Sequence, residues 1–369
     1  MKPFTIGIIG CGYISSIYME NIPQYNHLAL TACADLDLER AQSQADQFGI
    51  PKACSVEELL DDPEIDLVIN LTLPKVHAEV SLQILEAGKH VYVEKPLAIQ
   101  LEDAKRVLEK ADEKGLVVGS APDTFLGAGI QTALQLIEKG EIGVPIGASA
   151  FVIGRGHEHW HPNPAFYYEK GGGPLFDMGP YYLTALIALL GPVERIAGSA
   201  RISYPERTVL SAPNAGQKIT VSTETHIAGT IDFASGAIAT LTSSFDAFGG
   251  SSLPPIEIYG SEGTMLVPDP NTFGGPVRIR KKGDETFSDI PLVSDFLRNE
   301  RGLGVADMAH AILNGEKHRA SGQLAQHVLE AMHGFLISSR EGVYYRMESS
   351  CEKHEALSVN AQTFKQTTS

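Results

Sequence analysis

Basic residues are the scarcer charge in this chain. Its 369 residues hold 29 Lys and Arg against 45 Asp and Glu, a formal net charge of −16. Nucleic-acid phosphates and anionic membrane surfaces would be repelled, so neither is expected as a partner. No apolar run reaches the ~20 residues of a membrane-spanning helix. No charged-then-apolar leader precedes the first apolar run. Cysteine is sparse as well: Cys11, Cys33, Cys54 and Cys351. None is spaced C-x-x-C, and three lie in or beside expected strands. Reduced core thiols in a cytoplasmic protein are therefore expected, rather than disulfides or zinc ligands. There is no internal repeat or low-complexity tract, and the polar stretch 361–369 is expected to fray. What is present suffices for full cores, since 43% of residues are hydrophobic and 20% charged. The length implies two domains.

The first apolar run ends in Gly-Cys-Gly-Tyr-Ile-Ser at residues 10–15. Gly10 suits a sharp strand-to-helix turn. Gly12, without a Cβ, lets a pyrophosphate approach the backbone, and the N–H groups of Tyr13, Ile14 and the helix start are placed to meet it. Ser15 stands where Gly or Ala completes the fingerprint, so the motif alone is also compatible with an ordinary tight turn. The next apolar run, Leu28–Ala34, ends at Asp35, about 20 residues beyond the fingerprint, where a ribose-binding carboxylate belongs. It would repel a 2′-phosphate, and Leu36 follows rather than Arg, so NAD is favoured over NADP. Asp35 reads equally as a loop acid or a helix cap, although Asp37 can cap the helix near Leu38–Phe48 instead.

Through about residue 120, strand-like runs (Leu67–Leu71, His90–Val93, Leu116–Val118) alternate with helical patterns (Val76–Ala87, Leu101–Lys114). This rhythm implies a doubly wound parallel sheet. Its ligands bind at the carboxyl ends of the strands, which singles out Thr72, Leu73, Pro74, Glu94, Lys95 and Asp123. His77 is either a helix-start or a cofactor-site residue. The remainder reads as helix near Ile130–Lys139, strand near Ile146–Ile153 and helix around Pro180–Leu190. Closely spaced strands follow near Val193–Ile202, Ile219–Asp232, Ala237–Ser244, Ile256–Tyr259 and Val277–Arg280, then helices near Gly304–Leu313 and Gln323–Ser339. Such spacing suggests antiparallel pairing in an α+β domain. The second face of its sheet needs a helix or another subunit as cover.

Two constellations carry chemistry. In Val91-Tyr-Val-Glu-Lys-Pro, Lys95 projects at a strand end, where it can hydrogen-bond a reacting oxygen and share a proton. A surface Glu–Lys pair is the alternative. In Gly171-Gly-Gly-Pro-Leu-Phe-Asp-Met-Gly-Pro-Tyr, Asp177 and Tyr181 share a face if helical, to orient a hydroxylated substrate or simply to pack. His157-Glu-His-Trp-His161 matches H-E-x-x-H, but flanking Gly and Pro oppose the helix that a zinc site needs, so no metal is expected. His157, Trp160 and His161 instead suit sugar hydroxyls and faces, or plain loop packing.

In this order, the turn at 10–15, Asp35, Thr72-Leu-Pro-Lys-Val-His77, Ala87–Pro96 with its Glu-Lys-Pro, and Gly171–Tyr181 resemble the glucose–fructose oxidoreductase/inositol dehydrogenase/rhizopine-catabolism (Gfo/Idh/MocA) family. The resemblance spans nearly the whole chain. It implies a Rossmann domain over 1–122 and, over 123–369, an α+β domain with a large, mostly antiparallel open sheet. It implies NAD-dependent hydride transfer to or from a sugar or cyclic polyol. Lys95 would contact the reacting hydroxyl, and Asp177 would be the aspartate of the D-x-G-x-H pattern. Tyr181 falls where many members carry an acid/base histidine. That departure weakens a simple inositol dehydrogenase assignment, although members like glucose–fructose oxidoreductase also carry tyrosine there. Asp123, His157, Trp160, His161, Asp177 and Tyr181 are the expected substrate contacts, in a homodimer or homotetramer built through the C-terminal sheet. Alternatives are an NAD-dependent glycosidase working by transient oxidation and a non-catalytic NAD- or sugar-binding regulator.

Overall fold

The protein is described by a computed structural model covering residues 3–353, 355–357 and 364. Apart from Phe364, the stretch expected to fray lies outside the described residues. The chain divides into two compact units. One comprises residues up to Gly127, Ser294–Gln326 and the described part of the segment from Leu357. The other comprises Ala128–Val293 and His327–Ala356. A single boundary at 122/123 was expected from sequence, but two later segments belong with the first unit.

The elements run β1 (Phe4–Ile9), α1 (Ser15–Asn21), β2 (Leu28–Ala34), α2 (Leu38–Phe48), β3 (Lys52–Cys54), α3 (Val56–Leu60), β4 (Leu67–Asn70), α4 (His77–Glu86), β5 (His90–Val93), α5 (Leu101–Lys114) and β6 (Val118–Ser120). They continue with α6 (Ala128–Glu138), β7 (Pro145–Ile153), α7 (Gly173–Leu190), β8 (Val193–Arg201), β9 (Glu206–Thr208), β10 (Lys218–Thr220), β11 (His226–Phe233), β12 (Ile238–Ser244), β13 (Ile256–Gly260), β14 (Gly263–Val267), β15 (Val277–Lys281) and β16 (Ser288–Ile290). Last come α8 (Leu303–Asn314), α9 (Gly322–Glu341) and β17 (Tyr345–Arg346).

In the first unit all strand pairs are parallel, in the order β3-β2-β1-β4-β5-β6. The central strands are buried along their length, as a sheet covered on both faces requires. Ala104, Val107, Leu108 and Ala111 form the buried stripe of α5. Asp37 caps α2, accepting from the Arg40 N–H at 3.2 Å, which leaves Asp35 outside the helix. The strand expected at Leu116–Val118 is instead β6. Gly115 takes the left-handed stop of α5, and the Leu116 N–H still bonds back to the Ala111 carbonyl.

In the second unit nine strands form one sheet, ordered β16-β15-β14-β13-β7-β12-β11-β8-β17. Only β12 and β7 pair in parallel. Alternate residues such as Ala150, Leu241 and Ile258 are buried on the side where α7 packs, whereas Ile238 and Tyr259 are exposed. The run expected as one strand over Ile219–Asp232 is two. β10 pairs with β9 as a separate hairpin, and the Ser222 N–H turns away to the Tyr168 carbonyl. The helix expected from Pro180 begins at Gly173 and carries Pro180 inside it. Proline reads locally as a helix start. Here burial of nearly every residue from Gly173 to Leu190 outweighs the hydrogen bond it removes.

Candidate functional site

The first unit's strand order reverses between β1 and β4, so the turns after those strands flank the crevice where such sheets bind ligands. Gly10 has φ +100°, and a Cβ there would lie 2.7 Å from the Leu71 carbonyl, so both conformation and space require glycine. A Cβ on Gly12 would meet nothing within 4 Å, leaving open space beside the turn. Ile14 occupies the N-cap of α1 with no side-chain cap, and Ser15 is buried with its hydroxyl donating to the Gly12 carbonyl at 2.7 Å. Asp35 Oδ2 accepts from the Cys11 N–H at 2.8 Å, and Oδ1 accepts from the Asp37 N–H at 2.9 Å. The carboxylate thus ties the end of β2 to the fingerprint turn. Each oxygen keeps a lone pair for a ribose hydroxyl. Tyr13 and Leu36 are fully exposed and Leu73 is 63% exposed, so apolar side chains stand uncovered at the carboxyl ends of β1, β2 and β4. These features fit a dinucleotide.

Beside them, Asn70 organises the turn after β4. Its Oδ1 accepts from the Thr72 hydroxyl at 2.6 Å, and its Nδ2 donates to the His77 carbonyl at 2.9 Å. Pro74 then opens a short 3-10 turn into α4. The His77 ring lies 2.7 Å from the Pro96 carbonyl and 2.9 Å from that of Thr72, buried among backbone acceptors. Burial pulls its imidazole below the usual histidine range. The neutral ring carries one N–H and so donates to only one of these carbonyls, buried between the two turns. Glu94 is also turned inward: Oε1 accepts from the Tyr18 hydroxyl at 2.8 Å and Oε2 from the Lys95 N–H at 2.9 Å. Lys95 is half-buried and precedes a cis proline.

Asp123, expected to contact substrate, is 1% exposed. Its Oδ2 accepts from the N–H groups of Gly302 and Gly304 at 2.8 and 3.0 Å, at the start of α8. It is a buried cap, and the expectation is corrected: a carboxylate is the acceptor those orphan N–H groups need. Burial pushes its carboxyl up to about 6. The folded state then binds more protons than the unfolded one between about pH 4 and 6, so stability falls as pH rises through that window. The drop is on the order of 3 kcal/mol. Asp123→Asn should flatten this slope, as read from denaturant unfolding at a series of pH values.

In the second unit, α7 brings Asp177 and Tyr181 one turn apart on one face. Asp177 Oδ2 lies 2.8 Å from His157 Nε2, and the Trp160 indole N–H donates to His157 Nδ1 at 3.2 Å. Trp160 is 55% exposed. His161 packs edge-on against Trp160, and its Nδ1 accepts from the Asn163 N–H. Burial lowers its imidazole. Sequence reasoning missed what anchors this loop. Arg207, 3% exposed in its side chain, pairs with Glu158 at 2.6 Å and Asp246 at 3.0 Å and donates to the carbonyls of Arg155 and Phe245. Glu158 also accepts from the Tyr168 hydroxyl. The acid of the H-E-x-x-H match therefore faces a guanidinium.

Among the described residues, no helix is long and apolar enough to cross a membrane. All four cysteines are free thiols, three of them buried.

Asp35→Ala should raise KM for NAD by about 10–100-fold, the worth of hydrogen bonds to a charged group. Combined with Leu36→Arg it should bring NADP kcat/KM level with NAD. Kinetics with both cofactors read this out.

Comparison with known proteins agrees with this geometry. Residues 4–121 match the model of an oxidoreductase family with an NAD-binding Rossmann fold, and residues 130–266 match the GFO/IDH/MocA C-terminal domain. The chain is 28% identical over 289 residues to 1,5-anhydro-D-fructose reductase of Ensifer adhaerens, covering 78% of this chain and 82% of that one. It is 26% identical to myo-inositol 2-dehydrogenase of Thermotoga maritima, covering 71% and 74%. In fold it matches levoglucosan dehydrogenase in complex with NADH, with a TM-score of 0.81, 21% identity and coverage of 94% and 100%. Motifs, architecture and both family domains agree, and the chain belongs to the GFO/IDH/MocA family of NAD-binding oxidoreductases.

Proposed function

We propose that this enzyme oxidises or reduces one carbon of a carbohydrate or cyclic polyol, with NAD as its nicotinamide cofactor. The observation that carries the reading is α7, which sets a carboxylate and a phenol one turn apart, with the exposed Trp160 bonded to the same carboxylate through His157. Such a group suits a substrate with apolar faces and many hydroxyls. The bound cofactor supplies or accepts the hydride. The protein's residues handle the proton and the geometry: Lys95 contacts the reacting hydroxyl, Tyr181 exchanges its proton, and Asp177 orients substrate. A phenol that gives up its proton needs a neighbouring positive charge to stabilise the phenolate. Trp160 and His161 are proposed to line the sugar. The names of the relatives, a reductase of an anhydrofructose and a dehydrogenase of an inositol, support this substrate class.

We further propose a homodimer or homotetramer through the uncovered sheet face bearing Ile238 and Tyr259. The free thiols support a reducing compartment, the cytoplasm. The test is absorbance of reduced nicotinamide while purified protein meets NAD, then NADP, across sugars, inositols and aryl glycosides. A rise with one sugar or polyol class and NAD is expected. Cleavage of an aryl glycoside without net NADH would assign a glycosidase instead.

A further inference from the structure

We propose that His157 is a positioning residue, its Nε2–H fixing the Asp177 carboxylate, and that Trp160 locks His157 in the one tautomer able to do so. This rests on the role given to Asp177 above. A carboxylate only accepts, so His157 Nε2, 2.8 Å from Asp177 Oδ2, carries a hydrogen. An indole N–H only donates, so His157 Nδ1, 3.2 Å from Trp160 Nε1, carries a lone pair. Both conditions fall on one ring and leave one form, the neutral Nε2–H imidazole. A proton on Nδ1 would set N–H against N–H. Asp177 is therefore held by a neutral donor, not by a second cation.

The surroundings keep the ring in place. Tyr167 and Phe245 pack against it with centroids at 4.0 and 4.7 Å. Its backbone N–H donates to the Tyr168 hydroxyl, itself bonded to Glu158 in the Arg207 cluster. Gly156 (φ +84°) makes the turn that brings the ring in. The titratable groups against it are Asp177 from α7, His161 from its own loop, and Tyr167 and Tyr168 from the segment that follows. The segment after β12 presents only the apolar Phe245. With both nitrogens engaged, His157 acts through Asp177 instead of touching substrate, which revises the expectation that it is a substrate contact. Trp160, its N–H occupied, has only its ring face to offer a sugar.

The test joins a spectroscopic and a kinetic arm on the full-length protein. In wild type labelled with 15N-histidine, the His157 signals at neutral pH should show Nε2–H with a bare Nδ1. In Trp160→Phe the Nδ1 resonance should move, because it loses its donor. In turnover, His157→Leu should lower kcat about 10–100-fold, the worth of a hydrogen bond to a charged group. His157→Gln, whose amide N–H replaces Nε2–H, should recover most of that loss. A hydrogen on Nδ1 in the wild type, or Gln no better than Leu, would overturn the proposal. The NMR arm needs no substrate and stands if His157→Leu does not fold. A protein that shows the locked tautomer but oxidises no sugar or polyol would defeat the functional reading and leave the lock intact.

Discussion

Lys95→Met should lower kcat by about 10²–10⁴-fold, the usual worth of a positioned proton-transfer group, with the melting temperature nearly unchanged. The two halves of that expectation have separate causes. The backbone around Lys95 is held by groups other than its side chain: Glu94 Oε2 takes the Lys95 N–H, and the buried His77 ring meets the Pro96 carbonyl. Methionine keeps the length and most of the apolar stem and removes only the ammonium. Steady-state turnover and a thermal melt on the same preparation separate the two. Wild-type turnover in the folded variant would remove Lys95 from the chemistry.

Arg207→Leu should cost about 3–5 kcal/mol, the usual penalty for breaking a buried ion pair from one side, and lower the melting temperature by roughly 10 °C. The cause is less the lost attraction than the two carboxylates left behind. Glu158 and Asp246 are 6% and 7% exposed in their side chains and would be buried without their cation. Arg207→Lys should recover little, because one ammonium cannot reproduce a fork that reaches two carboxylates and two carbonyls. The same loss loosens the loop carrying His157 and Trp160, so kcat should fall along with stability. Differential scanning calorimetry of the two variants decides. A shift of only a degree or two would mean that the loop is anchored otherwise.

Features written in local pattern were legible in the sequence. The buried run of β1, the glycine turn, Asp37 as a cap and the helical pattern of α5 all follow from nearest-neighbour physics. The start of α7 was not, because Pro180 punctuates locally while tertiary burial decides. Short strands such as β3 and β9 were missed because each is too brief to show a period. At the site, spacing pointed to Lys95, Asp177 and Tyr181 through motifs. It could not reveal that Asp123 caps a helix 179 residues away, or that Arg207 meets Glu158 across 49 residues. Long-range partners of single charged residues leave no periodic trace. Asn70 was hidden inside an apolar strand, although a lone buried amide at a strand end is a signal worth reading.

The most direct test of hydride transfer uses a substrate found in the sugar and polyol screen, deuterated at the carbon that is oxidised. NMR of the nicotinamide after turnover should find that deuterium at C4, on one face of the ring, in amounts matching product formed. Substrate consumed with no deuterium on the nicotinamide would contradict the assignment of this enzyme as a sugar or polyol dehydrogenase.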